Sequence, residues 1–346
     1  MKLKSEKSSG GIDRFNMFDK GFEDEDHLLI DSFEFFNTGI NSLDRVLGGP
    51  GGGIAIGSVC ELFGPTGFGK STLTAMTCFQ ALEKGYPVFY YETEGAWTNA
   101  RLKMIGIDKE GKHKGLFRWG GMPDSIEYFF EHIIQNIINP YIENQIDSPY
   151  IIVLDSLAQV GTNRELEITA EGGYDKDMGF KAKVVGVGIR KISKMLHQTR
   201  GTLIVVNQLR ENTNQANPYG PKTFTPGGNA VKFASIQRIE IKPLGQPFLI
   251  GDIKYIKIGA TTKKNKAYTP YLETTLMFNV NTGLFDIPMT YFEALKEEER
   301  IVSSGPIWKL NLNTDLNDDT NIIKFSKKDW EETYEQNKQR IYEVTS

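Results

Sequence analysis

Residues 64–71 read Gly-Pro-Thr-Gly-Phe-Gly-Lys-Ser, which fits the pattern G-x-x-x-x-G-K-S. Pro65, Thr66, Gly67 and Phe68 fill the variable positions, and Thr72 follows. Gly64 and Gly69 let backbone N–H groups turn inward, and N–H groups at a helix start attract phosphate oxygens. In that arrangement Lys70 reaches the β- and γ-phosphates of a nucleoside triphosphate, and the Ser71 hydroxyl ligates Mg2+. The expected cofactors are therefore ATP and Mg2+. Asp155 ends the apolar run Ile-Ile-Val-Leu-Asp and is the expected holder of a water in the Mg2+ shell. Glu92-Thr-Glu94 offers a carboxylate to orient and deprotonate an attacking water, and Glu94 is the better placed of the pair. Gln208, at the end of Val205-Val-Asn-Gln, is a candidate sensor of the third phosphate, although an Asn-Gln pair at a strand end is more often a turn.

These residues need a scaffold that brings strand ends together. Ser58–Phe63, Val88–Glu92, Ile151–Asp155 and Leu203–Asn207 read as buried strands. Lys70–Lys84, Ser125–Ile142 and Gly179–Gln198 have helical apolar spacing. Alternation of this kind predicts an α/β fold with a mostly parallel central sheet. Ala234–Ile241, Ile253–Gly259 and Glu273–Val280 read as three further strands with no helix between them, so antiparallel strands should extend the sheet. Ligands then collect at the strand C-termini.

The chain has 346 residues, 39% hydrophobic and 24% charged, enough for one large domain with a small appendage. Residues 1–36 read as a disordered tail or an arm that contacts a neighbouring subunit. Residues 37–290 form the expected core, and 291–346 a small C-terminal unit. The N-terminus lacks the apolar segment of a secretory signal, and no apolar run approaches the roughly 18 residues of a membrane span. Cys60 and Cys78 sit in apolar patterns and read as reduced core residues of a cytoplasmic protein. The net charge of −4 argues against a general nucleic-acid coat but leaves room for a local basic surface.

Taken in order, these segments resemble the RecA-type recombinases, most closely the phage branch typified by UvsX. The resemblance covers roughly residues 36–290. It is carried by Asn37-Thr-Gly-Ile-Asn-Ser-Leu-Asp44, Glu92-Thr-Glu94, Met104-Ile-Gly-Ile-Asp108, Gly227-Gly-Asn-Ala-Val-Lys-Phe233 and Lys264-Asn-Lys266. It implies ATP hydrolysis coupled to strand exchange, with partners in single-stranded DNA, homologous duplex DNA and further copies of the chain in a helical filament. Mediator and single-strand-binding proteins are further expected partners, and the location is the bacterial host cytoplasm if the gene is a phage's. Lys264, Lys266 and Phe233 are expected to cross a subunit interface towards a neighbour's ATP. Two DNA-binding loops are expected, near 166–179 and 209–229. Met178, Gly179, Lys183 and Arg190 belong to the first or to the helix after it, and Arg210, Gly227, Gly228 and Asn229 to the second. Backbone contacts and inserted apolar wedges would leave base edges free for homology testing.

The sequence departs from the family pattern at Arg101, where a tyrosine usually stacks on adenine, and at Thr98, where an aspartate often contacts it. Arginine can also stack on a purine through its planar guanidinium. Two rival readings remain: a hexameric helicase or other motor on a RecA-like core, and a non-catalytic recombinase mediator. The Gly-Gly-Asn-Ala-x-Lys-Phe segment speaks against the first, and intact Lys70, Glu94 and Asp155 against the second.

Overall fold

A computed structural model describes residues 30–171, 178–211, 223–318 and 320–345. The expected subunit-contact arm lies outside the described residues up to residue 29, as do residues 172–177 and 212–222 of the two expected DNA-binding loops. Residues from Glu34 onward form one compact unit.

In chain order, β1 (Phe35–Phe36) and α1 (Asn41–Gly48) lead to β2 (Ile54–Ala55), which pairs with β1. There follow β3 (Val59–Gly64), α2 (Lys70–Glu83), β4 (Val88–Glu92), α3 (Asn99–Ile105) and β5 (Phe117–Gly121). Helix α4 (Ile126–Ile133) runs through a π-helical stretch, Ile134–Ile138, into α5 (Asn139–Glu143). Next come β6 (Tyr150–Asp155), α6 (Asn163–Ala170), α7 (Met178–Gln198) and β7 (Gly201–Gln208). The short strands β8 (Arg210–Glu211) and β9 (Thr223–Phe224) pair with each other ahead of α8 (Gly228–Ala234). Then follow β10 (Gln237–Pro243), β11 (Phe248–Ile250), β12 (Ile253–Asn265), β13 (Glu273–Asn279) and β14 (Leu284–Phe285). The chain ends with α9 (Ile287–Glu297), β15 (Ile301–Ser304), β16 (Ile307–Leu310), β17 (Ile323–Ser326) and α10 (Trp330–Val344).

The main sheet runs β14-β13-β12-β10-β3-β7-β6-β4-β5. Strands β10, β3, β7, β6, β4 and β5 are parallel, and β12, β13 and β14 extend them antiparallel, as the helix-free stretch of sequence predicts. The central strands are buried on both faces, which is why they are dominated by apolar residues. Alternate residues serve different cores. Ile151 and Val153 pack with Leu73, Cys78 and Leu82 of α2. Ile152 and Leu154 pack with Ile126, Phe129 and Ile133 of α4 and with Ile189 and Ile192 of α7. Cys60 and Cys78 are free thiols in the first of these cores, and burial pushes both above their ordinary range. A third core joins α9, α10 and the β15–β17 sheet around Phe292, Trp330 and Tyr334.

Candidate functional site

The order β3, β7, β6, β4 brings four strand ends side by side, and each delivers one element of the site. Strand β3 ends at Gly64 and hands over to the phosphate loop. Gly69 caps α2 with φ +82°, and a Cβ there would meet the Phe285 ring at 2.7 Å, so both conformation and space demand glycine. Lys70 opens α2, is only 6% exposed, and donates from Nζ to the Pro65 carbonyl at 2.6 Å. Burial pulls its pKa from 10.5 down to about 8, while Asp155 and Glu94 act in the opposite direction.

Strand β6 ends at Asp155, which is 4% exposed. Burial holds its carboxyl above the ordinary range, and hydrogen bonds from Tyr90 and Ser71 oppose that shift. The Tyr90 hydroxyl donates to Asp155 Oδ2 at 2.7 Å. Strand β4 ends at Glu92, whose buried carboxylate accepts three backbone N–H groups: Glu94 at 2.9 Å, Gly95 at 2.8 Å and Ala96 at 3.2 Å. Glu92 therefore shapes the turn that carries Glu94. Glu94 is exposed, and its Oε1 accepts from Gln208 Nε2 at 2.7 Å and from Ser156 Oγ at 3.0 Å. Strand β7 ends at Gln208, so the candidate base and the candidate phosphate sensor are directly joined.

One cleft collects Thr66, Gly67, Gly69, Lys70, Ser71 and Thr72 with Glu92, Glu94, Arg101, Asp155 and Gln208. The residues fit a triphosphate with Mg2+: one hydroxyl (Ser71) and one carboxylate (Asp155) are too few for an all-protein cage. Mg2+ characteristically keeps waters and takes phosphate oxygens for the rest of its shell. Among the described residues no cluster of three or more His, Cys, Asp or Glu could hold a metal by itself.

The RecA N-terminal domain family matches residues 22–285. Protein RecA of Thermus aquaticus is 32% identical over 248 residues, which is 71% of this chain. The chain belongs to the RecA family. Protein RecA of Aquifex aeolicus is 31% identical over 240 residues, 69% of this chain. The matched stretches span 67% and 64% of these two relatives' lengths. A solved structure described as that of the RadB recombinase is similar over 72% of this chain and 98% of its own, at 18% identity and a TM-score of 0.49. Among the described residues no helix is long and apolar enough to cross a membrane.

Outside the cleft, the RecA-type motifs fall into two further groups. Gly227, at φ +84°, precedes α8, and a Cβ on it would meet Leu157 at 2.8 Å. Gly228 lies against Ala182, so the glycine pair lets α8 seat closely on α7. Gly179, Arg210, Gly227 and Gly228 line a common cleft with Lys181. Lys181 Nζ and Arg210 both reach the Ala158 carbonyl, each at 3.4 Å. Burial and Arg210 lower the Lys181 pKa, against the pull of Glu165. Asn229 is exposed at the start of α8. Lys183 is not in this cleft: it lines a groove between α7 and α4 with Lys191, Glu127 and Glu131. Arg190 lies exposed two turns further on, beside Gly186. Met178 begins α7.

The second group joins Lys264, Lys266 and Phe233. Lys264 Nζ donates to the carbonyls of Lys232 at 2.9 Å and Phe233 at 2.8 Å, at the C-terminal end of α8 where orphan carbonyls favour a cation. Phe233 is 75% exposed, an unusual position for a phenylalanine, and Lys266 is exposed as well. Burial, with Lys266 and Arg238 nearby, holds the Lys264 pKa below its ordinary value. None of the three lines the phosphate-loop cleft of its own chain.

Sequence reasoning missed Asn207, Ser156 and Tyr90. Asn207 is fully buried and donates from Nδ2 to Glu61 at 3.0 Å and to the Pro226 carbonyl at 2.9 Å. It thus ties the end of β7 to the segment just before Gly227. The available signal was a polar residue interrupting an apolar strand, which in a buried sheet demands a partner.

Proposed function

We propose that this chain is an ATP-dependent recombinase that polymerises on single-stranded DNA and drives homologous pairing and strand exchange in recombination and repair. The observation that carries the reading is the Gln208–Glu94 hydrogen bond at 2.7 Å. It ties the one exposed cleft carboxylate to the residue from which the 209–229 segment springs. A triphosphate seated on Gly64–Thr72 would put its γ-phosphate between these two side chains. Gln208 would then exchange Glu94 for a phosphate oxygen, leaving Glu94 to accept a proton from water while Gln208 shifts the root of the second DNA segment. Asn207, bonded to Pro226, gives that shift a path to Gly227 and α8.

Lys70 would turn from the Pro65 carbonyl to the β- and γ-phosphates, where the negative charge stabilises its protonated form. Ser71 and Asp155 would hold Mg2+, which supplies charge neutralisation at the phosphates. Half-buried Lys264 at the end of α8, with exposed Phe233 and Lys266, suits contact with the nucleotide of a second copy. Repeating such a head-to-tail contact gives an open helix when the rotation between copies does not close into a ring. Arg210, Lys181 and the glycines beside them suit backbone contacts to single-stranded DNA, with Met178 as an apolar wedge. The domain division into arm, core and C-terminal unit, and membership of the UvsX-like phage branch, are parts of the same proposal and rest on the sequence motifs.

Electron microscopy with single-stranded DNA and an unhydrolysable ATP analogue tests it directly. Helical filaments are expected, together with DNA-stimulated hydrolysis that falls when Lys264 and Lys266 are both changed to alanine. Closed rings would point to a motor instead, and a protein that stays monomeric with nucleotide and DNA overturns the proposal.

A further inference from the structure

One wall of the cleft is built around Arg101. Its guanidinium lies over the Trp97 ring at 4.8 Å and donates to Thr72 Oγ1 at 3.3 Å. The Thr72 hydroxyl in turn donates to the Gly283 carbonyl at 2.9 Å. Arg101 thus spans from α3 to the first turn of α2, with its planar head fixed on both sides. Trp97 holds it by a cation–π contact, and Thr98 fixes its backbone by accepting the Arg101 N–H at 3.2 Å. That acceptance makes Thr98 the N-cap of α3.

A phosphate chain that begins at Lys70 and Ser71 leaves the loop past Thr72, the next residue on the same turn. A guanidinium bonded to Thr72 therefore stands beside the phosphate nearest the sugar, and a planar fork suits phosphate oxygens. The other lining residues on this wall are Ala96, Trp97 and Phe278, which carry no side-chain hydrogen-bond acceptor. The cleft carboxylates are all engaged by other partners: Glu92 on three N–H groups, Glu94 on Gln208 and Ser156, Asp155 on Tyr90. A side-chain acceptor for the adenine amino group would favour adenine over guanine, and a guanidinium, which only donates, does not supply one. What it can address on a base is the purine N7 common to both, or the guanine O6.

We infer that Arg101 is a specificity-determining residue that clamps the phosphate chain, and that the site selects nucleoside triphosphates by their phosphates while accepting adenine and guanine alike. The inference rests on the nucleotide site proposed above and deepens it. The measurement is calorimetric binding of the Mg2+ complexes of unhydrolysable ATP and GTP analogues, and of inorganic triphosphate, to wild type, Arg101→Met and Arg101→Lys. In wild type the two nucleotides should bind within about 10-fold of each other, a spread set by the absence of a base-edge hydrogen bond worth ~1–3 kcal/mol. Arg101→Met should weaken all three ligands in parallel, by roughly 10- to 100-fold, as loss of a charge-assisted hydrogen bond predicts. Arg101→Lys should recover part of that loss, which separates lost charge from a damaged fold. An ATP preference beyond 10-fold in wild type overturns the inference, as does an Arg101→Met loss confined to one base, or no loss. Failure of the nucleotide site itself looks different: wild type then binds none of the three, or Lys70→Met binds them all as tightly as wild type.

Discussion

Replacing Lys70 by methionine should abolish turnover yet make the nucleotide-free protein more stable. Lys70 is 6% exposed, and burial lowers its pKa from 10.5 to about 8. At 1.36 kcal/mol per pH unit, that difference of 2.5 corresponds to ~3 kcal/mol spent on keeping the ammonium charged in the fold. Methionine has nearly the same length but cannot donate to the Pro65 carbonyl, which removes about 1 kcal/mol of hydrogen bonding. A net gain of ~2 kcal/mol is expected at pH 7. The pH dependence identifies the cause. Between pH 8 and 10.5 the folded protein binds fewer protons at Lys70 than the unfolded chain, so wild-type stability rises with pH across that window. The advantage of the variant is therefore full below pH 8 and gone by pH 10.5. Urea unfolding of both proteins at pH 7, 8, 9 and 10, without nucleotide, measures it. Adding the Mg2+ complex of ATP at 100 times its dissociation constant should stabilise wild type by ~2.7 kcal/mol and leave the variant unmoved. A variant less stable than wild type at pH 7, or a difference that does not change with pH, would refute the argument that burial of this charge is a cost the fold carries for its ligand.

Further outcomes follow from single contacts. Glu94→Gln keeps the bond to Gln208 and removes the base, so hydrolysis should fall by about 10²–10⁴-fold with nucleotide affinity retained, as single-turnover kinetics would reveal. Glu92→Ala strips the acceptor from three N–H groups and should lower hydrolysis while Glu94 is intact; an unchanged rate would remove Glu92 from the positioning role. Asp44 is 5% exposed, and burial raises its carboxyl to about 7 against hydrogen bonds from Thr38. Its folded pKa exceeds the unfolded value, so the stability it contributes is full below pH 3.8 and is lost as pH rises through 7. Asp44→Asn, which can still accept the Thr38 N–H, should raise the unfolding midpoint at pH 8 and have little effect near pH 4. Gly227→Ala meets both a left-handed backbone and Leu157, and should cost upwards of about 1 kcal/mol while blunting DNA stimulation of hydrolysis.

The parts of this molecule that a reader of the sequence can find are those where one chemical demand dominates. The phosphate loop is legible because only glycine tolerates the turn at Gly69, and because an apolar strand and a helix flank it. The central strands are legible because burial on both faces favours apolar residues and admits a polar one only with a partner, as at Glu61 and Asn207. The helix-free run after Ala234 likewise announces antiparallel strands, and β10, β12 and β13 are paired that way, apart from the parallel edge of β10 on β3. The short elements α1, α3, α6 and α8 and the edge strand β5 escaped, because five to eight residues carry too little periodicity and their stability comes from capping and contact. Thr98 on α3 and the Thr162–Glu165 capping box on α6 supply such caps. At the site, the side chains proposed to meet the nucleotide were readable from residue type, whereas those that orient them were not. Glu92 looked like a rival to Glu94 until three backbone N–H groups were seen to converge on it. Asn207 looked like half of a turn until its amide was found bridging Glu61 and Pro226. Lys183, expected with Arg190 to serve the first DNA-binding segment, stands on the groove facing α4, whereas Lys181, two positions earlier, lines the cleft with Arg210 and Gly227. A two-residue step on a helix turns a side chain by roughly 200°, so a run of basic residues fixes the charge of a helix but leaves open which surface receives it. That ambiguity is resolved only by the partner helix, here α8, whose glycines set how closely it approaches and hence which lysine it leaves at the cleft.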